Sequence, residues 1–350
     1  MAQLPILAIT AGDPAGAGPE ITARAFANDS VYEMCRPVVI GDPCMMQQAL
    51  VCTGLNDQIR IHVIEDVKDA VYERGIMNVY DMHLISDPSE IELGKISKEA
   101  GEAAFQYVVK AIQLAMADEV DGTITNAISK EAINLAGHHY SGHTEIYADY
   151  TGTKKYCMML AHNDFRVVHV STHVSLREAC DRCKKERILD VIEMADEVCR
   201  DLGIKEPKIA VAGLNPHCGE HGMFGREEIE EIEPAIAEAK KKGIQAIGPC
   251  PPDTVFSQAI GGWYDIVVCM YHEQGHIPTK VQGVVYDRER QQWNAVAGIN
   301  ITLGLPIIRV SVDHGTAFDH AGKGDANELS LLNSIEYGAK MALSRLEKRG

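Results

Sequence analysis

The chain reads CMYHEQGHIPTK at residues 269–280, directly after the strand-like apolar run Tyr264–Val268. Gly275 and Pro278 interrupt regular structure, so the stretch is predicted to be a loop at the end of a strand. It carries imidazole, carboxylate and ammonium groups, and catalytic groups often lie on such loops. We therefore expect this strand end to form part of a functional site.

Two other segments repeat this arrangement, because in each an apolar, β-branched run ends in a histidine. They are Phe165–His173 and Lys208–His217. Neutral imidazole binds Zn²⁺ and similar divalent ions well. The pattern predicts that three strand ends bring His173, His217 and His272 to one metal ion. No HExxH or paired CxxC spacing is present, so hydrogen-bonded structural histidines are the alternative.

The order of elements predicts the fold class. Short apolar runs typical of strands alternate with helical patterns, and this alternation predicts an α/β fold with a mainly parallel sheet and sites at the strand C-terminal ends. At 350 residues the chain exceeds the roughly 250 to 300 residues at which a single core stops growing, so two domains around a cleft are expected. The strand-like runs are Pro5–Thr10, Val38–Gly41, Ile59–Ile64, Met77–Met82, Gly122–Asn126, Tyr156–Ala161 and Ile307–Val312.

Helices are predicted where apolar residues recur at helical spacing or a cap is present. Ser175 and Glu178 have the spacing of a capping box. The polar segment Gly137–Glu145 is predicted to be a loop, and the polar segment Val281–Val296 an exposed hairpin or flap. The predicted helices are Lys98–Ala117, Ser175–Leu202, Arg226–Lys242 with an interruption at Pro234, and one from about Glu328.

Composition excludes several classes of partner. The formal net charge of −17 argues against nucleic acids and anionic membranes, because the protein's own field repels a polyanion. No basic region opens the chain, and no apolar run approaches the roughly 18 residues of a membrane span. A cytoplasmic protein with reduced thiols is therefore expected. Cys180 and Cys183 form a lone CxxC in a helical pattern, which a plain helix explains better than a metal or redox site.

A glycine-rich segment, Gly12–Glu20, follows the first strand pattern, and Pro19 suits the first turn of a helix. Such a strand, loop and helix would direct free backbone N–H groups at an anion. The spacing matches neither the dinucleotide-binding GxGxxG nor the phosphate-binding GxxxxGK[ST] pattern. An anion site and a tight strand-to-helix turn are both open interpretations.

Arg309 lies within an otherwise apolar strand pattern. A buried cation needs an anion or a strand end that faces a cleft. Binding of a substrate carboxylate or phosphate is the functional hypothesis, and a buried ion pair is the alternative. His169, inside its strand, is expected to line the core. Candidates for orienting a ligating histidine or carrying a proton are the loop acids Asp253, Glu273, Asp313 and Asp319.

Taken together, segments from nearly the whole chain resemble one family, the 4-hydroxythreonine-4-phosphate dehydrogenases. The resemblance is closest to the branch of 4-phospho-D-threonate and 4-phospho-D-erythronate 3-dehydrogenases. The matching segments, in order, are Gly12–Glu20, Ser141–Glu145, Ser171–His173, Gly213–His217, Pro252–Phe256, Tyr271–His272, Ile299–Pro306 and Ser311–Ala317.

The resemblance implies a fold of two α/β/α domains with mainly parallel sheets around a central cleft, similar to isocitrate and isopropylmalate dehydrogenases. The first domain would comprise residues 1–135 and 307–350, and the second residues 136–306 with the metal-binding histidines. NAD would bind in the cleft without the glycine-rich dinucleotide-binding motif, which agrees with the absence of GxGxxG spacing in Gly12–Glu20. The residues that bind NAD are not identified.

The resemblance also implies a site at a homodimer interface. A divalent metal, Zn²⁺, Mg²⁺, Co²⁺ or Mn²⁺, would bind His173, His217 and His272, and one of these histidines would come from the partner subunit, with His272 the candidate. The substrate is a small phosphorylated acid. Its phosphate and carboxylate would contact His143, Thr144, Lys280, Asn300 and Arg309.

The reaction implied is NAD-dependent oxidation of the 3-hydroxyl of 4-phospho-D-threonate or 4-phospho-D-erythronate, followed by decarboxylation to dihydroxyacetone phosphate. Lys280 and Asp253 are the candidates for the catalytic proton acceptor. Oxidation of 4-hydroxythreonine-4-phosphate in pyridoxal phosphate biosynthesis is the alternative within the family. A metal-dependent hydrolase or lyase that uses the same histidines is the alternative of another class, and a ligand-binding protein without catalysis is a third.

The sequence departs from the family pattern at three places. Glu273 stands where aspartate is usual, so its carboxylate is one methylene further from the backbone. The polar insert Val284–Ala297 is longer than usual, which predicts a different substrate entrance. His221 stands where glycine is common, and it is either an additional ligand or a surface residue.

Overall fold

The computed structural model describes residues 4–283, 286–287, 292–293 and 297–349. Its strands are β1 Ile6–Thr10, β2 Arg36–Gly41, β3 Arg60–Ile64, β4 Ile76–Asp81, β5 Gly122–Thr125, β6 Cys157–His162, β7 Phe165–His169, β8 Lys208–Ala212, β9 Gln245–Cys250, β10 Ile266–Cys269, β11 Tyr286–Asp287, β12 Gln292–Trp293, β13 Ile299–Leu303 and β14 Arg309–Val312. Its α-helices are α1 Gly18–Phe26, α2 Ser30–Met34, α3 Pro43–Thr53, α4 Lys98–Met116, α5 Lys130–Leu135, α6 His143–Tyr150, α7 Leu176–Arg182, α8 Lys185–Asp201, α9 Glu233–Lys241, α10 Val255–Ile260, α11 His272–Gly283 and α12 Leu329–Arg349.

The chain divides into two compact units. Unit 1 comprises Met1–Lys154, Ala295–Ile299 and Leu305–Gly350, and unit 2 comprises Lys155–Asn294 and Asn300–Gly304. The domain boundaries predicted at residues 135 and 306 stay a prediction. Residues 136–154, which the sequence assigned to the second domain, lie in unit 1.

Unit 1 contains a parallel sheet in the order β3-β4-β2-β1-β5-β14. Leu7, Ala8 and Ile9 of β1 are completely buried, as expected for a parallel strand that is covered on both faces. The chain leaves β1 toward β2 on one side, whereas β5 pairs on the other side. The C-terminal ends of β1 and β5 therefore form a topological switch point, where α/β proteins commonly bind ligands.

Unit 2 contains the strand order β6-β7-β10-β8-β9. The β6–β7 pair is antiparallel, and β10 pairs parallel with both β7 and β8. Val267 of β10 lies opposite Val167 of β7 and Ala210 of β8, and all three are completely buried. The predicted α/β class with a mainly parallel sheet is confirmed.

The prediction of a loop for residues 269–280 is wrong after its first residues, because helix α11 begins at His272 and continues through Pro278. Side-chain hydrogen bonds stabilise this helix. The amide of Gln274 accepts from the backbone N–H of Met270 (2.7 Å) and donates to the carbonyl oxygen of Gly213 (2.8 Å). Burial of the Gln274 face against unit 2 thus outweighs the hydrogen bond that a proline removes from a helix interior.

Other predicted elements are confirmed with changes. The predicted helix Ser175–Leu202 is two helices, α7 and α8, and Ser175 caps the first by accepting from the N–H of Glu178 (3.2 Å). The predicted loop Gly137–Glu145 ends earlier, because α6 begins at His143. In the predicted hairpin Val281–Val296, β11 and β12 pair antiparallel. Its first three residues belong instead to helix α11, which ends at Gly283, and the remainder lies outside the described residues.

Candidate active site

Three histidines predicted to bind a metal follow the C-terminal ends of three adjacent parallel strands in unit 2. His173 follows β7, His272 follows β10 and His217 follows β8, with β10 in the middle. The carboxyl ends of parallel strands meet at one edge of a sheet, which is where α/β enzymes place their sites. The topology therefore places each of these three histidines after the end of a strand, as predicted.

The rings of His173 and His272 are brought together, with their centroids 5.6 Å apart. His217 and His173 are exposed, and His272 is half-buried. Among the residues that the structure describes, no group of three or more His, Cys, Asp or Glu side chains is arranged to hold a metal ion. The three-histidine metal site stays a prediction.

His272 has the chemical character that a metal ligand requires. Its Nδ1 atom is buried and has no hydrogen-bond partner among the described residues. Burial lowers the pKa of His272, which the nearby Glu273 carboxylate partly offsets, so the neutral form is favoured at neutral pH. A neutral imidazole with an unpartnered nitrogen fits a divalent ion, because the cation needs the free lone pair.

Helix α11 places His272, His276 and Lys280 on one face, because residues four apart on a helix lie one above the other. The rings of His272 and His276 stack with centroids 3.6 Å apart and an angle of 10° between their planes. Nδ1 of His276 lies 2.8 Å from the carbonyl oxygen of His272. A carbonyl oxygen only accepts, so this Nδ1 carries the proton.

Sequence reasoning gave His276 no role, and its segment was predicted to be a loop. The four-residue spacing of His272, His276 and Lys280 was the available signal. Behind them, His169 is completely buried, as predicted, and its Nδ1 donates to the carbonyl oxygen of Met158 (3.2 Å). The His169 and His276 ring centroids are 4.8 Å apart, so these imidazoles form one packed group.

His217 lies in an unusual backbone segment. From His217 to His221 every residue has a positive φ, with values of 51°, 55°, 75°, 42° and 54°. A left-handed turn costs an L-residue roughly 1–2 kcal/mol, and only Gly219 escapes this penalty. Strain of this kind persists where the surroundings impose it, commonly at functional sites.

In unit 1, a second group gathers predicted anion-binding residues. His143 and Thr144 open helix α6, and Arg309 is buried in β14, where its Nη2 donates to Oγ1 of Thr125 (3.1 Å). Its guanidinium carbon lies 5.8 Å from the ring centroid of Tyr147.

Charge and burial set the protonation of this group. Burial lowers the pKa of Arg309 to about 10, so the residue stays a cation at neutral pH. Burial and then the Arg309 charge lower the pKa of His143 well below its usual value. The Nε2 atom of His143 is buried without a hydrogen-bond partner among the described residues. A neutral imidazole beside a cation at a helix N-terminus suits an anionic ligand.

Of the remaining predicted residues, the loop acids Asp313 and Asp319 lie in unit 1 and the others in unit 2. Lys280 is half-buried on α11, and Nδ2 of Asn300 lies 2.9 Å from Sδ of Met158. Asp253, a candidate proton acceptor, is exposed in the loop before α10, and Glu273 is exposed on α11. The substrate and catalytic roles of these residues stay predictions.

The glycine-rich loop is explained by backbone packing. A Cβ atom on Gly16 would lie 2.6 Å from the carbonyl oxygen of Thr316, and one on Gly18 would lie 2.4 Å from that of Ala11. These contacts favour the tight-turn interpretation of the segment. Within it, Asp13 is buried, with one carboxylate oxygen unpartnered among the described residues, and burial raises its pKa to about 6. Sequence reasoning had not singled out Asp13.

The cysteines all lie in described residues and are free thiols, as expected. Burial raises the pKa of Cys183 to about 12, which disfavours the thiolate that a redox or metal role of the CxxC pair needs. Within the described ranges, no helix is both long and apolar enough to cross a bilayer.

Comparisons with known proteins give consistent matches over nearly the whole chain. A family model described as pyridoxal phosphate biosynthetic protein PdxA matches residues 33–338. D-threonate 4-phosphate dehydrogenase of Pectobacterium atrosepticum is 44% identical over 337 residues, which cover 96% of this chain and 99% of that protein. D-threonate 4-phosphate dehydrogenase of Salmonella typhimurium is 44% identical over 336 residues, which cover 96% of this chain and 98% of that protein. A crystal structure of 4-hydroxythreonine-4-phosphate dehydrogenase from Klebsiella pneumoniae matches with a TM-score of 0.84 and 41% identity, covering 97% of this chain and 99% of that one.

Proposed function

Because the chain belongs to the PdxA family, and its relatives and structural neighbours are dehydrogenases, we propose that it oxidises the 3-hydroxyl of 4-phospho-D-threonate or 4-phospho-D-erythronate. The hydride passes to NAD, and the resulting β-keto acid loses CO₂ to give dihydroxyacetone phosphate. Relatives named D-threonate 4-phosphate dehydrogenase, which match nearly the whole chain, support this choice of substrate.

One observation carries the proposal: His173, His272 and His217 follow the C-terminal ends of three adjacent parallel strands. These imidazoles would hold a divalent ion, Zn²⁺, Mg²⁺, Co²⁺ or Mn²⁺. When bound, such an ion supplies Lewis acidity that polarises the substrate hydroxyl and the later carbonyl. The ring of His276 stacks on the ring of His272, and His169 packs in turn against His276, so both rings help to hold His272 in place.

The anionic ends of the substrate require fixed cations and donors. Arg309 and the N-terminal residues of α6, His143 and Thr144, would bind a phosphate or carboxylate through charge-assisted hydrogen bonds. Lys280 and Asn300 are further proposed contacts of the substrate. Holding the acid in one orientation keeps its C3 hydrogen in line with the hydride acceptor. Fixing the two reacting groups in this geometry is how positioning increases the reaction rate. Lys280 remains the first candidate for the proton acceptor, since Asp253 is exposed.

The substrate is tested by following NADH formation with the purified, metal-loaded protein. We expect turnover of 4-phospho-D-threonate or 4-phospho-D-erythronate and weak turnover of 4-hydroxythreonine-4-phosphate. The name of the Klebsiella pneumoniae structure supports 4-hydroxythreonine-4-phosphate as the alternative substrate. A clear preference for the amino compound would replace the first substrate by the second. Absence of NADH with all three acids would instead favour a hydrolase or lyase.

We further propose that the protein is a homodimer in which one metal-binding histidine comes from the partner subunit. Ile277 and Val281 support this, because on α11, the helix that begins at His272, they leave 60% and 73% of their surface exposed. The close approach of His173 and His272 within one chain makes the identity of the crossing residue an experimental question. The predicted cytoplasmic location stays a prediction.

Mixed dimers identify the crossing residue. The His217→Ala and His272→Ala variants should each be inactive alone. If His272 crosses, random mixing restores about a quarter of the wild-type activity, because half of the dimers then carry one intact site of two. If all three histidines come from one chain, mixing restores nothing. Mixing His217→Ala with His173→Ala completes the assignment, because activity returns in the first mixture only if His272 crosses, in both if His217 crosses and in the second only if His173 crosses.

A further inference from the structure

The segment that carries His217 has an internal support that the proposed reaction does not use. Residues 217–221 form the left-handed turn described above, and the chain reaches it through Leu214 and Asn215. Backbone hydrogen bonds of the turn include Cys218 N–H to Asn215 O (3.1 Å) and Phe224 N–H to Gly219 O (3.1 Å). Successive positive φ values are unfavourable for residues other than glycine, so the conformation also needs support from its surroundings.

Beneath the turn lies the carboxylate of Glu228, which is completely buried. Its Oε1 accepts from the backbone N–H groups of Leu214 (2.8 Å) and Asn215 (2.7 Å), and its Oε2 accepts from Nδ2 of Asn215 (2.9 Å). These three bonds fix the two residues that precede Pro216 and His217. Hydrogen bonds from amides to a charged oxygen are stronger than neutral ones, so this is a rigid attachment.

The same carboxylate fills the inside of the turn. A Cβ atom on Gly219 would lie 2.8 Å from Oε2 of Glu228, and one on Gly213 would lie 3.2 Å from Oε1. The backbone therefore wraps around the carboxylate at both ends of the segment. Glu228 is the first residue of the π-helical turn Glu228–Ile232. Such turns are rare in proteins, and those that occur are frequently located at functional sites.

We propose that Glu228 is a positioning residue, which sets the left-handed turn and through it the direction in which His217 presents its imidazole to a divalent ion. The proposal rests on the proposed metal-dependent function. Glu228 does not touch the ion or the substrate in this role. It acts as the outer groups of metal sites do, by fixing the orientation of a ligand.

The test is a Co²⁺ titration of the purified, metal-free full-length protein, followed by the visible absorption of bound Co²⁺, with thermal unfolding measured in parallel. In Glu228→Gln an NH₂ group replaces one oxygen that accepts hydrogen bonds. The variant therefore holds Leu214 and Asn215 less firmly, and the turn can leave its left-handed conformation. We expect a loss of Co²⁺ affinity of about 10- to 100-fold, the range found for outer-shell groups, and an altered absorption spectrum. Glu228→Asp keeps both oxygens and should lie between wild type and Gln.

Glu227→Gln is the matched control. Glu227 is the neighbouring, half-buried acid, and it accepts from Nδ2 of Asn215 (2.7 Å) but not from the backbone of Leu214 or Asn215. We expect it to bind Co²⁺ like wild type. His217→Ala should lose most of the affinity, which establishes that the signal reports this site.

The outcomes separate the two proposals. Wild-type Co²⁺ binding that Glu228→Gln leaves unchanged, even with a lower unfolding temperature, would show a merely structural role and overturn the positioning role alone. Absence of Co²⁺ binding by wild type, or binding that His217→Ala leaves unchanged, would overturn the metal site and the positioning role with it. If Glu228→Gln does not fold, the Co²⁺ affinity of Glu228→Asp is the test instead. Aspartate has a shorter side chain, so wild-type Co²⁺ affinity in this variant would count against the proposal.

Discussion

Replacing Gly275 by alanine tests whether the backbone of α11 must lie against a buried imidazole. A Cβ atom at residue 275 would lie 2.4 Å from Nε2 of His169 and 3.0 Å from Sγ of Cys269. His169 is completely buried and is held through Nδ1 by the carbonyl oxygen of Met158, so it cannot swing away. The helix itself has to move, and His272 moves with it.

Two opposing effects set the magnitude. Glycine to alanine inside a helix stabilises by about 1 kcal/mol, because glycine loses more backbone entropy on folding. Overpacking a core costs typically about 1–3 kcal/mol, and an overlap this severe lies at the upper end. We therefore expect Gly275→Ala to lower the free energy of unfolding by about 2 kcal/mol net, as the difference of these two terms.

Urea unfolding monitored by circular dichroism measures this difference. Gly283→Ala is the matched control in the same helix, because its Cβ atom would meet its nearest neighbour, Nδ1 of His162, at an ordinary 3.5 Å. That variant should be as stable as wild type or slightly more so. A Gly275→Ala protein that equals or exceeds wild-type stability would refute the close contact between α11 and His169.

Three further predictions concern unit 1. Arg309→Met should lower kcat/KM for the phosphorylated acid roughly ten- to a hundredfold, since a hydrogen bond to a charged group contributes about 1.5–3 kcal/mol. Glu20→Gln should reduce the free energy of unfolding by about 1–3 kcal/mol, because the buried carboxylate accepts from the backbone N–H groups of Gly322 (2.5 Å) and Gly324 (2.7 Å). The stability of the wild-type protein should fall between pH 4 and 6, and Asp13→Asn should abolish this fall. The pKa of Asp13 in the folded protein, about 6, lies above its ordinary value of 3.8, so wild-type stability falls as pH rises through this window and stays lower above it.

Each of these has an outcome that contradicts it. Unchanged kcat/KM in Arg309→Met, with the exposed Arg74→Met as control, would exclude Arg309 as a substrate contact. Equal urea midpoints for wild type and Glu20→Gln would mean that the loop at Gly322 and Gly324 is held by other contacts. Parallel stability curves of wild type and Asp13→Asn between pH 4 and 7 would show that Asp13 ionises normally in the folded protein.

The strands were predictable because the signal is local. A run of β-branched residues between turn-forming residues identifies a strand without reference to the rest of the chain. Most of the predicted strands lie within a residue or two of those observed, for example Ile59–Ile64 against β3. Strands β9 and β13 were not predicted. Since parallel strands place their C-terminal ends at one edge, the same local signal predicted the positions of His173, His217 and His272 after adjacent strands.

The sequence by itself determined the α/β alternation, the strands that end in histidines and the burial of His169, since periodicity and β-branched composition act within a few residues. Only the tertiary structure decided the helix through Gly275 and Pro278 and the left-handed turn at His217. Both conformations are locally unfavourable. The first is stabilised by the bond from Gln274 to Gly213, and the second by the buried carboxylate of Glu228. Partners so distant in sequence leave no periodic pattern, so these elements appear only once the chain has folded.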